Sequence, residues 1–287
     1  MFLPQSKYHL CELFGIPIFI DISFVFLMFL FVTSQGSLTM GVAFALVLAL
    51  SVVLHELGHS LTARAFGYDT NDITISLLGG CASLIALPRR PSQEFLTALA
   101  GPAVSFALGF LAILALGILG DGSPFALMWN LLTGSVAYGR MGNTVVFVAG
   151  SGLDTQLYAC SALSHWLVDA CIDIACLNFM LGAFNLLPGF PMDGGRIFRS
   201  VMSAFMPKHK ATFVAMWVGR AFAILLGLGG LQAIFGGGSW GLVRILIAVM
   251  IWREGWREYQ LSLMESSWRE WSQGDFRARV SPPPYEE

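Results

Sequence analysis

Three ionisable side chains stand within little more than one helical turn in an otherwise apolar run: LVLALSVVLHELGHSLTARAF carries His55, Glu56 and His59. Residues four apart on an α-helix differ by about 40° in azimuth and about 6 Å in height, so His55 and His59 can each turn an imidazole toward one ion. Glu56, about 100° round from His55, sits beside the pair and reaches a water at that ion without serving as a ligand. Two zinc ligands and a general base are disposed in this way in metal-dependent hydrolases. With 5 histidines in 287 residues, the string HExxH arises by chance in about three of a thousand such chains. Paired histidines also serve haem ligation and proton relays. A bis-His haem usually draws its ligands from separate helices, and a relay has no need of Glu at the second position. A buried pair with a purely structural role is the remaining reading.

Catalytic zinc takes three protein ligands and keeps one position open, so a third donor must come from elsewhere in the chain. Asp193 is the expected one. It lies in FNLLPGFPMDGGRIF, where Pro188, Pro191 and Gly194-Gly195 are expected to stop a helix and turn the chain back toward the bilayer. His9, His165, His209, Asp169 and Asp173 compete for the position. His165, Asp169 and Asp173 fall near the outer end of their apolar stretch, whereas His55 and His59 fall in the cytoplasmic half of theirs. His9 and His209 read as solvated residues beside basic clusters.

The elements that must hold these residues are set by composition. The chain is 56% hydrophobic and 12% charged, half the charge of an ordinary soluble domain, with long stretches free of Lys, Arg, Asp and Glu. That composition excludes disorder, and the 5 cysteines, an odd count with no CxxC pair, suggest neither a cysteine-based zinc site nor a disulfide scaffold. A net charge of -2 with no basic cluster on one surface excludes a nucleic-acid partner. About 20 apolar helical residues cross a bilayer, and six windows qualify: 16–33, 41–66, 95–119, 168–187, 212–235 and the short 239–252, which carries Arg244. The first is read as retained, because no A-x-A-like cleavage site closes it. Of the 16 basic residues, only Arg140 lies in a loop on one side. Arg220 and Arg244 lie within spans and the rest flank the other side, which predicts cytoplasmic termini.

Residues 72–87 are rich in β-branched side chains and divided by Gly79-Gly80, which predicts a short hairpin dipping into the bilayer beside the polar site. The segment 120–165 is expected to be an outer-face loop, too short for a domain of 100 residues or more. Trp252, Trp256, Tyr259 and Leu263 recur at helical spacing among Arg and Glu, as in an amphipathic helix at headgroup level. The Pro282-Pro283-Pro284-Tyr285 string reads as part of an unstructured tail. The expected fold class is an all-α polytopic membrane protein of about six transmembrane helices with a membrane-associated β-hairpin between the second and third. Residues 1–252 form its integral-membrane core and 253–287 a cytoplasmic tail.

The paired motifs resemble those of the site-2 proteases, intramembrane zinc metalloproteases. HELGH at 55–59 is similar to the family's HExxH, and NLLPGFPMDGG at 185–195 to its Asn-x-x-Pro and Asp-Gly motif. GIPIFID at 15–21, the Gly79-Gly80 hairpin and AGPAVSF at 100–106 extend the likeness over most of residues 15–200. The resemblance implies one Zn2+ per chain held by His55, His59 and Asp193, with Glu56 as catalytic base and Asn185 as a donor to the oxyanion. Gly79 and Gly80 would then border the substrate. Implied partners are a transmembrane protein substrate and the lipid bilayer, in a multi-pass protein of the plasma or inner membrane. Where many relatives carry Asn after the Ala-Gly-Pro stretch, this chain has Ser105. The PDZ and CBS domains of some relatives do not fit the expected loop and tail. A rival function is a metal- or proton-handling transporter with the His/Glu cluster as its transit site.

Overall fold

The computed structural model describes residues 7–34, 38–76, 79–84, 90–119, 136–141, 144–149, 156–160, 165–237 and 241–272. It divides into two compact units, residues 1–87 with 100–183, and residues 88–99 with 184–287.

The first unit opens with strands, not with a span. β1 (Lys7–Leu13) and β2 (Ile16–Asp21) pair antiparallel. The two residues between them, Phe14 and Gly15, both have positive φ, the conformation a tight two-residue hairpin turn requires. The first expected span, 16–33, is corrected over its first six residues. Ile16, Ile18 and Ile20 alternate with Pro17, Phe19 and Asp21, the period of a strand and not of a helix. Asp21 then accepts a hydrogen bond from the Ser23 backbone N–H at 2.8 Å and caps α1 (Ile22–Ser34). At 13 residues and about 1.5 Å per residue, α1 is about 20 Å long, short of the bilayer's ~30 Å core.

α2 (Leu38–Ala65) follows, and with α1 forms the crossover that lets β3 (Thr70–Ser76) lie parallel to β2, Ile18 opposite Ile73. β4 (Gly79–Leu84) pairs antiparallel with β3 and completes a sheet in the order β1-β2-β3-β4. Gly79 and Gly80 belong to the start of β4, paired with Ser76 and Ile75, so they do not divide the hairpin. Ile16, Ile18, Ile73 and Ile75 are fully buried against Phe24 of α1 and Val52, Val53 and Leu57 of α2. The sheet is therefore anchored on the helix that carries the histidines.

The rest of the first unit belongs to α3 (Pro91–Leu119), whose first nine residues fall in the second unit, and α4 (His165–Asn185), whose last two do. Between these helices, where a loop was expected, β5 (Val136–Met141), β6 (Thr144–Ala149) and β7 (Gln156–Cys160) form an antiparallel sheet in that order.

The second unit holds α5 (Asp193–Met202), α6 (Lys208–Phe235) and α7 (Gly241–Ser272). Small residues every four positions on α6, Ala211, Ala215, Gly219 and Ala223, are buried and make a stripe along which neighbours approach closely. A Cβ at Gly189 would fall on Gly219, and one at Gly194 on the carbonyls of Leu186 and Leu187. The glycines of the PGFPMDGG segment thus let the turn lie tightly on α6 and let α5 start directly beneath the turn before it. The expected 239–252 span and the amphipathic helix after it are one unbroken α7. Nothing between Trp252 and Arg253 breaks a helix, and Ala248, Ile251, Gly255 and Ser262 continue one buried face across that point.

Among the described residues three helical stretches are long and apolar enough to cross a membrane: Gly41–Ala65, Pro91–Leu116 and Lys208–Phe235. Ala170–Asn185 is a shorter apolar stretch. The 282–285 string lies outside the described residues.

Candidate metal centre

His55, Glu56 and His59 are brought together on the buried side of α2, 3%, 7% and 9% exposed. One donor atom from each lies within 4.8 Å of the others. The two Nε2 atoms stand 3.2 Å apart, with the rings nearly perpendicular at 80°. Two nitrogens bound tetrahedrally to one ion at about 2.05 Å would stand about 3.3 Å apart, so the spacing is already that of two ligands on a shared metal. With the Glu56 carboxylate beside them, the cluster offers nitrogen and oxygen atoms of the kinds that zinc accepts.

The walls are cut to leave room for these groups. A Cβ on Gly101 of α3 would overlap the Nε2 atoms of both His59 and His55. A Cβ on Gly80 of β4 would overlap the Glu56 side chain at Cγ, Cδ and Oε1. Gly58, between the histidines, faces the Ala100 carbonyl and Val104, each 2.9 Å from where its Cβ would lie. Three glycines on three elements thus leave room for the His55, Glu56 and His59 side chains and bring α2, α3 and β4 close together.

Ser105 supplies the other half of the arrangement. Its Oγ lies 2.9 Å from His55 Nδ1, and the residue is fully buried. When Nδ1–H donates to that hydroxyl, the lone pair of His55 is left on Nε2, the atom that faces His59. The position whose polar role the sequence left in doubt is thus in contact with the His55 ring. One turn before His55, Ser51 accepts a hydrogen bond from the Asn178 side-chain amide at 2.9 Å. Asn178 also donates to the Ile174 carbonyl at 2.8 Å and is fully buried. Neither Ser105, Gly101 nor Asn178 was singled out from the sequence as a site residue. A glycine and a serine four apart on an apolar helix, facing another helix, were the available signal.

Of the competitors, His9 is exposed on β1 and meets the Phe19 ring edge-on at 5.4 Å. Asp173 is not in the cluster. The side chains of His165 and Asp169 lie outside the described residues. His209 occupies the first turn of α6. Asp193 is the first residue of α5, after Met192 as N-cap, and Asn185 is the last of α4; both belong to the second unit. Asp193 therefore sits in the first turn of a helix, where the dipole favours a negative charge.

Known proteins are similar to this chain over most of its length. The family model for peptidase family M50 matches residues 43–226. A zinc metalloprotease of Methanocaldococcus jannaschii is 28% identical over 246 residues, 85% of this chain and 58% of that protein. A putative zinc metalloprotease of Synechocystis is 31% identical over 251 residues, 82% of this chain and 55% of that one. The putative zinc metalloprotease Rip3 of Mycobacterium tuberculosis is 30% identical over 206 residues, covering 70% and 42%. The chain thus spans about half the length of the curated relatives it matches. Among solved structures, the site-2 protease from M. jannaschii superposes with a TM-score of 0.58 at 25% identity, over 88% of this chain and 95% of that one. The family match takes in well over half of the chain, including both the histidine pair and the PMDGG turn, and the chain belongs to peptidase family M50, the site-2 protease family.

Proposed function

We propose that this chain is an intramembrane zinc metalloprotease that hydrolyses peptide bonds in or near the transmembrane segments of membrane-protein substrates. The observation that carries the reading is the buried convergence of His55, Glu56 and His59 on a helix long and apolar enough to span a bilayer. Ionisable groups at membrane depth cost about 2.5–3.5 kcal/mol each on insertion scales, so such a trio persists where something compensates it. In this reading His55 and His59 hold one zinc ion, with Asp193 as third ligand. Zinc supplies a Lewis acid that polarises a carbonyl and makes water nucleophilic near neutral pH.

The chain's own groups do the rest. Glu56 accepts the proton of the attacking water on its carboxylate and returns it to the leaving amine. The Asn185 side-chain amide donates to the oxygen on which negative charge develops. Ser105 holds the His55 ring in one tautomer and orientation. A helical substrate hides its carbonyls in i→i+4 hydrogen bonds and must unwind before attack. The β4 strand at Gly79 and Gly80 offers an extended partner for the freed backbone. Several spans with cytoplasmic termini, supported by the lopsided basic residues, and the β3–β4 hairpin within the bilayer, supported by the contact of Gly80 with Glu56, complete the arrangement.

Zinc content and cleavage of a membrane-protein substrate in liposomes test the reading, comparing wild type with Glu56→Gln and Asp193→Asn. Glu56→Gln is expected to keep about one zinc per chain while cleavage falls about 10²–10⁴-fold. Asp193→Asn is expected to lose most of the zinc. Cleavage that survives Glu56→Gln, or metal flux across the vesicle that Glu56→Gln abolishes, would overturn the proposal in favour of a transport site.

A further inference from the structure

α6 carries a cation that the fold does not neutralise. The guanidinium of Arg220 lies over three indoles, 5.0 Å from the ring centroid of Trp217, 4.5 Å from Trp252 and 5.2 Å from Trp256. Its Nε is buried with no hydrogen-bond partner, and among the described residues no carboxylate forms an ion pair with it. Ring faces stabilise the charge but accept none of its N–H donors in the plane where an anion would bind.

The level of this residue follows from helix length. α6 has 28 residues, about 42 Å, against a hydrocarbon core of about 30 Å. Twenty residues ending at Phe235 begin at Met216, which sets Arg220 about 6 Å inside the boundary, within reach of the headgroups by snorkelling. α7 agrees: it is apolar from Gly241 to Trp252 apart from Arg244, and its charges then follow closely at Arg253, Glu254, Arg257 and Glu258. Trp252 and Trp256 are both more than 40% exposed, as indoles at a membrane interface are.

A groove of about 380 Å³ runs between α6 and α7 from this point, lined by Ala223, Gly227, Leu231, Ile245 and Ala248, with Arg253 as its one charged residue. From Ala223 to Leu231 it extends about 12 Å. A single acyl chain fits.

We propose that the groove binds an anionic phospholipid, one acyl chain lying along Ala223 to Leu231 and the headgroup phosphate meeting Arg220 and Arg253. Basic pockets between spans recognise anionic headgroups in this way, and the indoles of Trp252 and Trp256 would flank the glycerol region. The inference needs only the second unit and the membrane, and is independent of the peptidase chemistry.

The test is native mass spectrometry of the full chain in detergent, titrated with phosphatidylglycerol and with phosphatidylcholine of the same acyl chains. Wild type is expected to retain one phosphatidylglycerol per chain several-fold more tightly than phosphatidylcholine. Arg220→Gln and Arg253→Gln should each weaken phosphatidylglycerol about fivefold, and Arg220→Lys should weaken it less. Arg253 is on the surface, so its variant reports on the headgroup without risk to the fold. Gly227→Leu, which places bulk on the groove floor, should weaken both lipids and leave the headgroup preference unchanged. Equal retention of the two lipids, unchanged binding in both Gln variants, or displacement by glycerophosphate without acyl chains would overturn the proposal. So would a hydrophobic helical peptide that occupies the groove and is not competed by lipid.

Discussion

Two buried polar clusters, one in each unit, show opposite ways of tolerating charge away from water. In the second unit Arg199, 4% exposed, donates from Nε to Glu94 Oε1 at 2.8 Å and from Nη1 to Glu258 Oε2 at 3.2 Å. Its guanidinium also lies 4.9 Å from the Phe190 ring centroid. Donors there meet acceptors, and the cluster ties α5 to the start of α3 and to α7. In the first unit the atoms that converge are two ring nitrogens and a carboxylate oxygen, groups that repel one another's lone pairs unless a proton or a cation lies between them. Burial is common to both clusters. What differs is the kind of group brought together: a cation among carboxylates in one, ring nitrogens and a carboxylate on one face of a single helix in the other.

The sharpest way to break this contrast is to occupy the space between the lone pairs. Gly101→Ala puts a methyl group against both Nε2 atoms while leaving His55, Glu56, His59 and the helix ends unsubstituted. Zinc content measured on the purified protein is expected to fall from about one per chain to background, and cleavage with it. Retention of full zinc by a folded Gly101→Ala protein would mean that the rings bind metal from another side.

The closed cluster should respond in the opposite sense, through stability and not through metal. Arg199→Met leaves Glu94, whose side chain is 11% exposed, without its counter-ion, which costs about 3–5 kcal/mol for a buried pair. The unfolding midpoint in detergent should drop accordingly, while zinc per folded chain stays near one. Neutralising the carboxylates as well, with Glu94→Gln and Glu258→Gln, should recover much of the loss, because apolar or neutral replacements of an entire buried cluster are often well tolerated. If the triple variant is no more stable than Arg199→Met, the pairing is not what the cluster contributes.

The same contrast explains what the sequence revealed. HExxH was legible because helical periodicity alone puts His55 and His59 on one face. The PMDGG turn was legible because Pro and Gly restrict and free the backbone in known ways. β1 and β2 were not, since Ile16 to Asp21 is as apolar as a span and only its alternation gives it away. α7 was divided in two because a change from apolar to charged residues marks a change of surroundings, not of backbone. Arg199 read as one more basic residue on the cytoplasmic side. Its partners lie 105 and 59 residues away, and no local pattern encodes such a pairing.

Ser105 offers the finest test, because it couples to the site through one hydrogen bond. Ser105→Ala removes the acceptor at His55 Nδ1 and leaves a small void, with the helix and its neighbours unchanged. Partners of metal-bound imidazoles are worth about 10–100-fold in metal affinity. Zinc affinity, read by competition with a chelator, is expected to weaken by that factor, with little change in unfolding midpoint. Ser105→Asn, the residue many relatives carry at this point, retains a hydrogen-bonding group and should weaken zinc less than alanine does. The two variants divide the contribution of the hydrogen bond from that of side-chain volume. If alanine and wild type bind zinc alike, the hydroxyl merely satisfies a buried ring nitrogen, and the first cluster is closer in kind to the second than its geometry implies.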